Sequence, residues 1–361
     1  MKANAIIAPL WTFAGHVCRL SLVPTRLLLG LLLLLSLGIS PAWAQQSVVL
    51  VGSGSTVPAP LYSAWGQEFG RQNPKIQLRF VPVGTEEGIK QVSHNSGDFA
   101  AGELPLSEKQ LSEEGLVELP AVLVAIVPVY NLPYVHEPLR LSGEVLAEIF
   151  LGTVKNWNAP QIAKLNPGVN LPDLPIKVVQ RPAGKGSNYV FTDFLSKSSP
   201  KFRSQIGVSL SPKWPVGEAA ERSADMADKV KAETGSIGYV EFQYAAKSNI
   251  QQALLLNSAG KFVKATSQTL TAACESVEAT GGWHNLAASL TNAHGADSYP
   301  LTSFTWIYLP VRSQDSTRVD AVSNFLRWVY SDGQSVADAQ GYTRLPAQLL
   351  GEVRKHLSTL H

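Results

Sequence analysis

Leu119-Pro120-Ala121-Val122-Leu123-Val124-Ala125-Ile126-Val127-Pro128-Val129-Tyr130 carries no charge and is dense in valine. A continuous β-branched run of this kind reads as a strand buried on both faces. A second such run, Leu301-Thr302-Ser303-Phe304-Thr305-Trp306-Ile307-Tyr308-Leu309, stands far downstream. The segment between them is patterned as a fold of its own, with a helix over 143–150, a Pro- and Asn-rich surface loop over 166–175, and a strand over 176–179. The turn Gly235-Ser236 then leads into the strand Ile237-Gly238-Tyr239-Val240. Two long strands around a self-contained middle are what a chain needs if it leaves one lobe, builds a second and returns. The expectation is an α/β protein of two lobes joined by a double crossover, with a cleft between them. Residues 45–128 with 303–361 fall to the first lobe and 129–302 to the second.

Outward from this frame, strands and helices alternate. A short buried strand over 48–51 runs into Gly52-Ser53-Gly54-Ser55-Thr56-Val57-Pro58, and a helix over 59–72 follows with Thr56 near its start and Pro58 near its first turn. A strand over 76–83 ends at Gly84-Thr85-Glu86-Glu87-Gly88, ahead of a helix over 89–94, and a third strand covers 98–103. Trp214-Pro215-Val216-Gly217 turns into an acid- and base-rich helix over 218–233, and helices over 319–329 and 347–357 close the chain. This alternation predicts a largely parallel sheet. No internal repeat is present.

The 361 residues, 45% hydrophobic and 16% charged, suffice for two cores and exclude general disorder. Residues 1–44 read as a secretory signal peptide: Arg26 precedes an apolar run over 27–39, and Ala42-Trp43-Ala44 supplies the small residues of a cleavage site. The run is short for a membrane anchor, and no cysteine stands at the cleavage point to carry a lipid, so a soluble periplasmic protein is expected. The whole chain carries +2, but 30 bases less Lys2, Arg19 and Arg26 leave 27 against 28 acids. The small positive balance belongs to the leader and supports no nucleic-acid partner. Cys274 is the one cysteine downstream of the leader, so no intramolecular disulfide is possible there.

The chemistry concentrates in Arg181-Pro182-Ala183-Gly184-Lys185-Gly186-Ser187-Asn188-Tyr189, placed between a strand and a helix. Glycines let the backbone approach a ligand, the free N–H groups of the helix start point at it, and Arg181 can fork onto two oxygens. With 52–58 and 84–88, this makes three strand-to-helix loops that converge on one crevice if their strands are parallel, a composition suited to an anion. Two look-alikes fail. Gly52-Ser53-Gly54 has Val57 where a dinucleotide fingerprint needs its third glycine, and Gly184-Lys185-Gly186-Ser187 has Val179 for the first glycine of a P-loop. The seven histidines show no metal spacing, and no nucleophile elbow is present, so neither a cofactor nor an enzyme is expected. Trp157, Trp214, Trp283 and Trp328 read as packing residues.

These motifs resemble the periplasmic phosphate-binding protein of the ABC phosphate importer. The resemblance rests on Gly52 to Pro60, Asp98-Phe99-Ala100-Ala101 with Pro105-Leu106-Ser107, Leu151-Gly152-Thr153-Val154-Lys155-Asn156-Trp157 and Ile162 to Gly168. Arg181 to Thr192, Lys213 to Gly217, Gly238-Tyr239-Val240-Glu241 and Tyr299 to Ser303 extend it over nearly all of the chain beyond the leader. It implies the two-lobed periplasmic binding protein fold, a monomer that closes on inorganic phosphate and hands it to membrane permease subunits. It also implies a hydroxyl from Thr56, the N–H of Val57 and a fork from Arg181, with donors from Gly186 and Ser187. Glu103 takes the place of the aspartate that accepts the proton of bound phosphate.

The chain departs from the family pattern in the loop after the second strand. Thr85 and Glu86 stand where that loop binds phosphate, with Glu86 replacing a serine; Ala183 replaces an aspartate that partners the arginine, and Lys185 replaces a ligand-binding serine. Glu86 in the cleft is expected to pair with Lys185 as a latch between lobes, and 127–131 with 299–303 are expected to bend on closure. The expected function is capture of inorganic phosphate for an ABC importer. The rivals are the same scaffold retuned to another oxyanion or an organophosphorus ligand, and a phosphate-releasing hydrolase.

Overall fold

The computed structural model describes residues 47–281, 288–311 and 315–358, so the proposed leader and Trp283 lie outside the described residues. In chain order the strands are β1 (Val48–Gly54), β2 (Ile76–Val81), β3 (Phe99–Gly102), β4 (Leu116–Tyr130), β5 (Arg140–Leu141) and β6 (Lys177–Gln180). They continue as β7 (Glu218–Ala219), β8 (Ser236–Glu241), β9 (Gln251–Gln252), β10 (Leu254–Leu256), β11 (Phe262–Val263) and β12 (Thr302–Pro310). The main sheet runs β2-β1-β3-β12-β4-β8-β6-β7, with β9 also on β4, and β11-β10-β5 form a small sheet apart.

β4 carries the architecture. Its first stretch, Leu116 to Ala125, pairs antiparallel with β12 at every position but Ala121, and from Ile126 to Tyr130 it pairs with β8 instead. One strand therefore belongs to two half-sheets, and the fold is the expected two-lobed α/β form with a crossing out and a crossing back. The sheet is mixed rather than largely parallel. β2-β1-β3 and β8-β6-β7 are parallel, as alternating strands and helices require, but the outbound and return legs β4 and β12 lie side by side and so must be antiparallel. A register irregularity in this pair at Thr305 and Trp306 adds local twist at the centre of the sheet.

Each half-sheet has its own aromatic core. In the first, Tyr62 stacks on Phe80 at 4.5 Å between ring centres, and Phe99, Phe325, Trp65 and Phe69 fill in around them. In the second, Phe191 stacks on Tyr239 at 4.2 Å, with Phe150 and Trp214 against them. Of the tryptophans, Trp157 is fully buried and donates to Gly235 O, Trp328 donates to Gln72, and Trp214 is half-buried in the Phe150 cluster.

Helix ends depart from expectation in two instructive places. The helix placed over 89–94 is Thr85–Ser93, because Gly84, at φ +104°, turns the chain so that Thr85 already starts the helix. Glu86 and Glu87 thereby enter the first turn, where the helix dipole favours acids. The helix placed over 218–233 is Ser223–Ala232; Glu218 and Ala219 instead extend the sheet beside β6, and the Arg222 guanidinium and backbone N both bond Asp225, fixing a later start.

The helix Gly186–Ser198 is anchored at its far end by a polar knot. Buried Asp193 accepts from Lys197, Ser289 and Thr291, and Lys197 also donates to both hydroxyls. Asp193→Ala removes the buried acceptor shared by Lys197, Ser289 and Thr291 and is expected to lower stability by roughly 2 kcal/mol, read as a lower urea midpoint at unchanged slope.

Candidate anion-binding site

Arg181 follows β6 and is 1% exposed. Its backbone N donates to Tyr239 Oη at 3.2 Å, and that hydroxyl donates to Asn188 Oδ1 at 2.6 Å. Asn188 Nδ2 in turn donates to Pro182 O and Leu210 O. The aromatic core of the second lobe thus fixes the cradle loop through one phenol. From this base the guanidinium reaches across to the first lobe, Nη2 donating to Thr56 Oγ1 at 3.1 Å. Nε and Nη1 are buried without a protein partner, and among the described residues no carboxylate forms an ion pair with Arg181. A buried cation left this way is costly unless an anion joins it.

The facing groups come from both lobes. Ser187 is 2% exposed with its Oγ unpartnered, at the N-terminal turn of helix Gly186–Ser198. Glu103, fully buried after β3, accepts from Thr85 Oγ1 at 3.2 Å through Oε2, while Oε1 has no protein partner. Burial pushes the Glu103 carboxyl up to about 8; the Ser55 hydroxyl opposes this, Glu241 repels and adds to it, and Thr85 opposes. Arg181, Ser187, Glu103, Thr56, Thr85 and Gly186 are therefore brought together. Gly186 leaves no room for a side chain, since a Cβ there would lie 1.7 Å from Glu103 Oε2 and 2.5 Å from Thr85 Oγ1.

Three expected roles fall out differently. The Val57 N–H donates to Ser55 Oγ at 3.1 Å, so the loop's own serine engages it. Lys185 pairs with Glu221 at 3.2 Å, and exposed Glu86 accepts from Ser211 Oγ at 3.0 Å, so the Glu86–Lys185 latch does not form. Glu221 lies nearer the lysine's flexible stem, and a hydroxyl from the opposite lobe meets the carboxylate first. Exposed Glu87 accepts from Gln91 on its own helix. Sequence reasoning missed Ser55, although its loop was singled out, and Ser211, which no motif marks.

A family model, the PBP superfamily domain, matches residues 40–333. The phosphate-binding protein PstS of Pasteurella multocida is 34% identical over 322 residues, spanning 88% of this chain and 92% of its own. The chain belongs to the PstS phosphate-binding protein family. Among solved structures, the phosphate-binding protein from Stenotrophomonas maltophilia superposes with TM-score 0.65 at 19% identity, covering 86% of this chain and 94% of that one. An ABC-type phosphate transport receptor from Vibrio cholerae gives 0.56 at 18%, covering 82% and 100%. These likenesses support the same fold for this PstS-family chain.

Two outcomes follow from the geometry. Gly186→Ala forces Glu103 and Thr85 away from the helix start, so small-angle scattering should report a larger radius of gyration than wild type under conditions where wild type is closed. The second concerns pH. Glu103 and Glu118 are buried carboxyls both pushed up to about 8 by desolvation, with the Leu106 N–H opposing the shift at Glu118. The folded state keeps protons that the unfolded chain releases above about 4.5, so this stability is fully present below that pH and is lost as pH rises through about 8. Tm of the ligand-free protein should fall from pH 5 to 8, and Glu118→Gln should flatten the slope.

Proposed function

We propose that this PstS-family chain is a periplasmic substrate-binding protein that captures inorganic phosphate for the permease of an ABC importer, acting as a monomer and without catalysis. The observation that carries the reading is Arg181: a buried guanidinium with no carboxylate partner among the described residues, two unpartnered nitrogens and the unpartnered Ser187 hydroxyl, in a site that also holds the Glu103 carboxyl. Donors of this kind match oxygens of a dianion, and Glu103 matches an oxygen that exchanges a proton. The names of the Pasteurella multocida relative and the Vibrio cholerae receptor support phosphate and ABC transport. Thr56, Thr85, Glu103, Arg181, Gly186 and Ser187 are the proposed ligand shell, with Val57, Glu86 and Lys185 around it.

The closeness of the two lobes at the rim favours a small inorganic anion over an organophosphorus ester. A Cβ on Gly84 would lie 3.1 Å from Gly184 O, and Arg181 already touches Thr56, two close approaches that disfavour a bulky substituent between the lobes. The switch of β4 from β12 to β8 between Ala125 and Ile126, and the start of β12 at Thr302, support lobe boundaries a few residues before 128 and close to 302.

Calorimetric titration of ligand-stripped protein with phosphate, arsenate, sulfate and methylphosphonate tests the reading. Phosphate should bind stoichiometrically without turnover. Arg181→Ala should lose roughly 2–5 kcal/mol of phosphate binding while the circular-dichroism spectrum is unchanged. Near-native affinity in that variant would remove Arg181 from the site.

A further inference from the structure

Glu86 stands in the first turn of helix Thr85–Ser93, in the first lobe, and its Oε2 accepts from Ser211 Oγ of the second lobe at 3.0 Å. The same serine oxygen accepts from Gly184 N at 2.9 Å, and Glu86 N approaches Gly184 O at 3.4 Å. The three groups form a short bridge from the helix of Glu86 to the cradle loop at Gly184. Ser211 is not a loose surface hydroxyl. Its backbone N donates to Ser209 Oγ at 2.9 Å, Ser209 N donates to Thr192 Oγ1 at 3.0 Å, and Leu210 O accepts from both Gly184 N and Asn188 Nδ2 at 3.0 Å. Segment 209–211 is thereby stapled to the helix and loop that carry Arg181 and Ser187, and it moves with them.

We propose that Glu86 and Ser211 are positioning residues that retain the ligand, a clasp made only when the lobes close and broken before the ligand can leave. The proposal rests on reading the cleft as the phosphate site. Neither residue belongs to the proposed ligand shell. Lys185, the cation that sequence would pair with Glu86, is held by Glu221, so the carboxylate is met by a hydroxyl and not by an opposite charge. A hydroxyl partner suits a contact that must open on every cycle, because an ion pair closed over a cleft would oppose release more strongly. The bond is exposed, and one net hydrogen bond changes a rate by on the order of 3- to 10-fold. Because the contact is absent from the open form, the effect falls on dissociation and leaves association unchanged.

Stopped-flow kinetics with inorganic phosphate and a cleft-reporting dye on the full mature chain test this. Ser211→Ala and Glu86→Ala should each speed phosphate dissociation about 3- to 10-fold with unchanged association, and the double variant should be no faster than either single. Glu86→Gln, whose amide oxygen accepts the same hydroxyl, should stay near wild type. Unchanged dissociation in Ser211→Ala, or single effects that multiply in the double variant, overturns the clasp while leaving the phosphate reading intact. If wild type binds no phosphate by calorimetry, the functional reading fails by itself. Small-angle scattering of ligand-free protein then decides the clasp: a larger radius of gyration for Ser211→Ala than for wild type supports it, and identical profiles overturn it.

Discussion

The Arg181 guanidinium, buried without a counter-charge, is the constraint to which the rest of the second lobe is fitted. Holding it there requires a rigid floor, and the stacked pair Phe191 and Tyr239 supplies one. The Tyr239 hydroxyl then both receives the Arg181 N–H and orients Asn188, which pins the loops on either side. Position 183 holds an alanine, so the residue two places after this arginine offers it no charge. Under the proposed phosphate reading the balancing charge is the ligand itself, which would make the empty and filled states unequal in energy.

Opposite the arginine, the first lobe contributes a carboxyl that burial inclines to keep its proton. Glu103 and the Gly186 backbone meet so tightly that the position tolerates no side chain, and this close approach brings helix start and carboxyl onto one small volume. Cation, hydroxyl and carboxyl come from different elements and two lobes. None of them makes a site alone.

Much of this was legible in the sequence, for reasons that differ from residue to residue. The two uncharged runs, one rich in valine and one in aromatic residues, announced β4 and β12 because a strand buried on both faces carries no charged face to set a period of two. The cradle announced itself through glycines and an arginine whose spacing is local. Where the sequence misled, the deciding interaction was tertiary. The helix of Glu86 starts early at the positive φ of Gly84, and its first turn lies so close to β1 that a Cβ on Gly88 would come within 2.4 Å of the Gly54 Cα, a closeness that a local Gly-Thr-Glu-Glu-Gly pattern does not encode. Lys185 and Glu86 looked like partners because their charges are opposite, but long side chains take whichever partner the backbone brings nearest, and Glu221 and Ser211 come first. Ser211 itself lies in an irregular segment with no motif, and only the chain of bonds through Ser209 to Thr192 gives it direction. The antiparallel centre of the sheet follows from two strands being outbound and return legs, an inference that bracketing permitted but alternation obscured.

That β4 is one uninterrupted strand also bears on how the protein comes apart. Its backbone ladder is shared end to end, with β12 on the first stretch and β8 on the next, so neither half-sheet can dissolve without stripping partners from a strand the other still needs. Two cores of this size, linked by loose tethers, would melt as independent units. Linked through a common ladder, they become a single cooperative block, and amide protons along β4 should exchange only through global unfolding. The strand shared by both half-sheets is thus also the last part of the molecule to open to solvent.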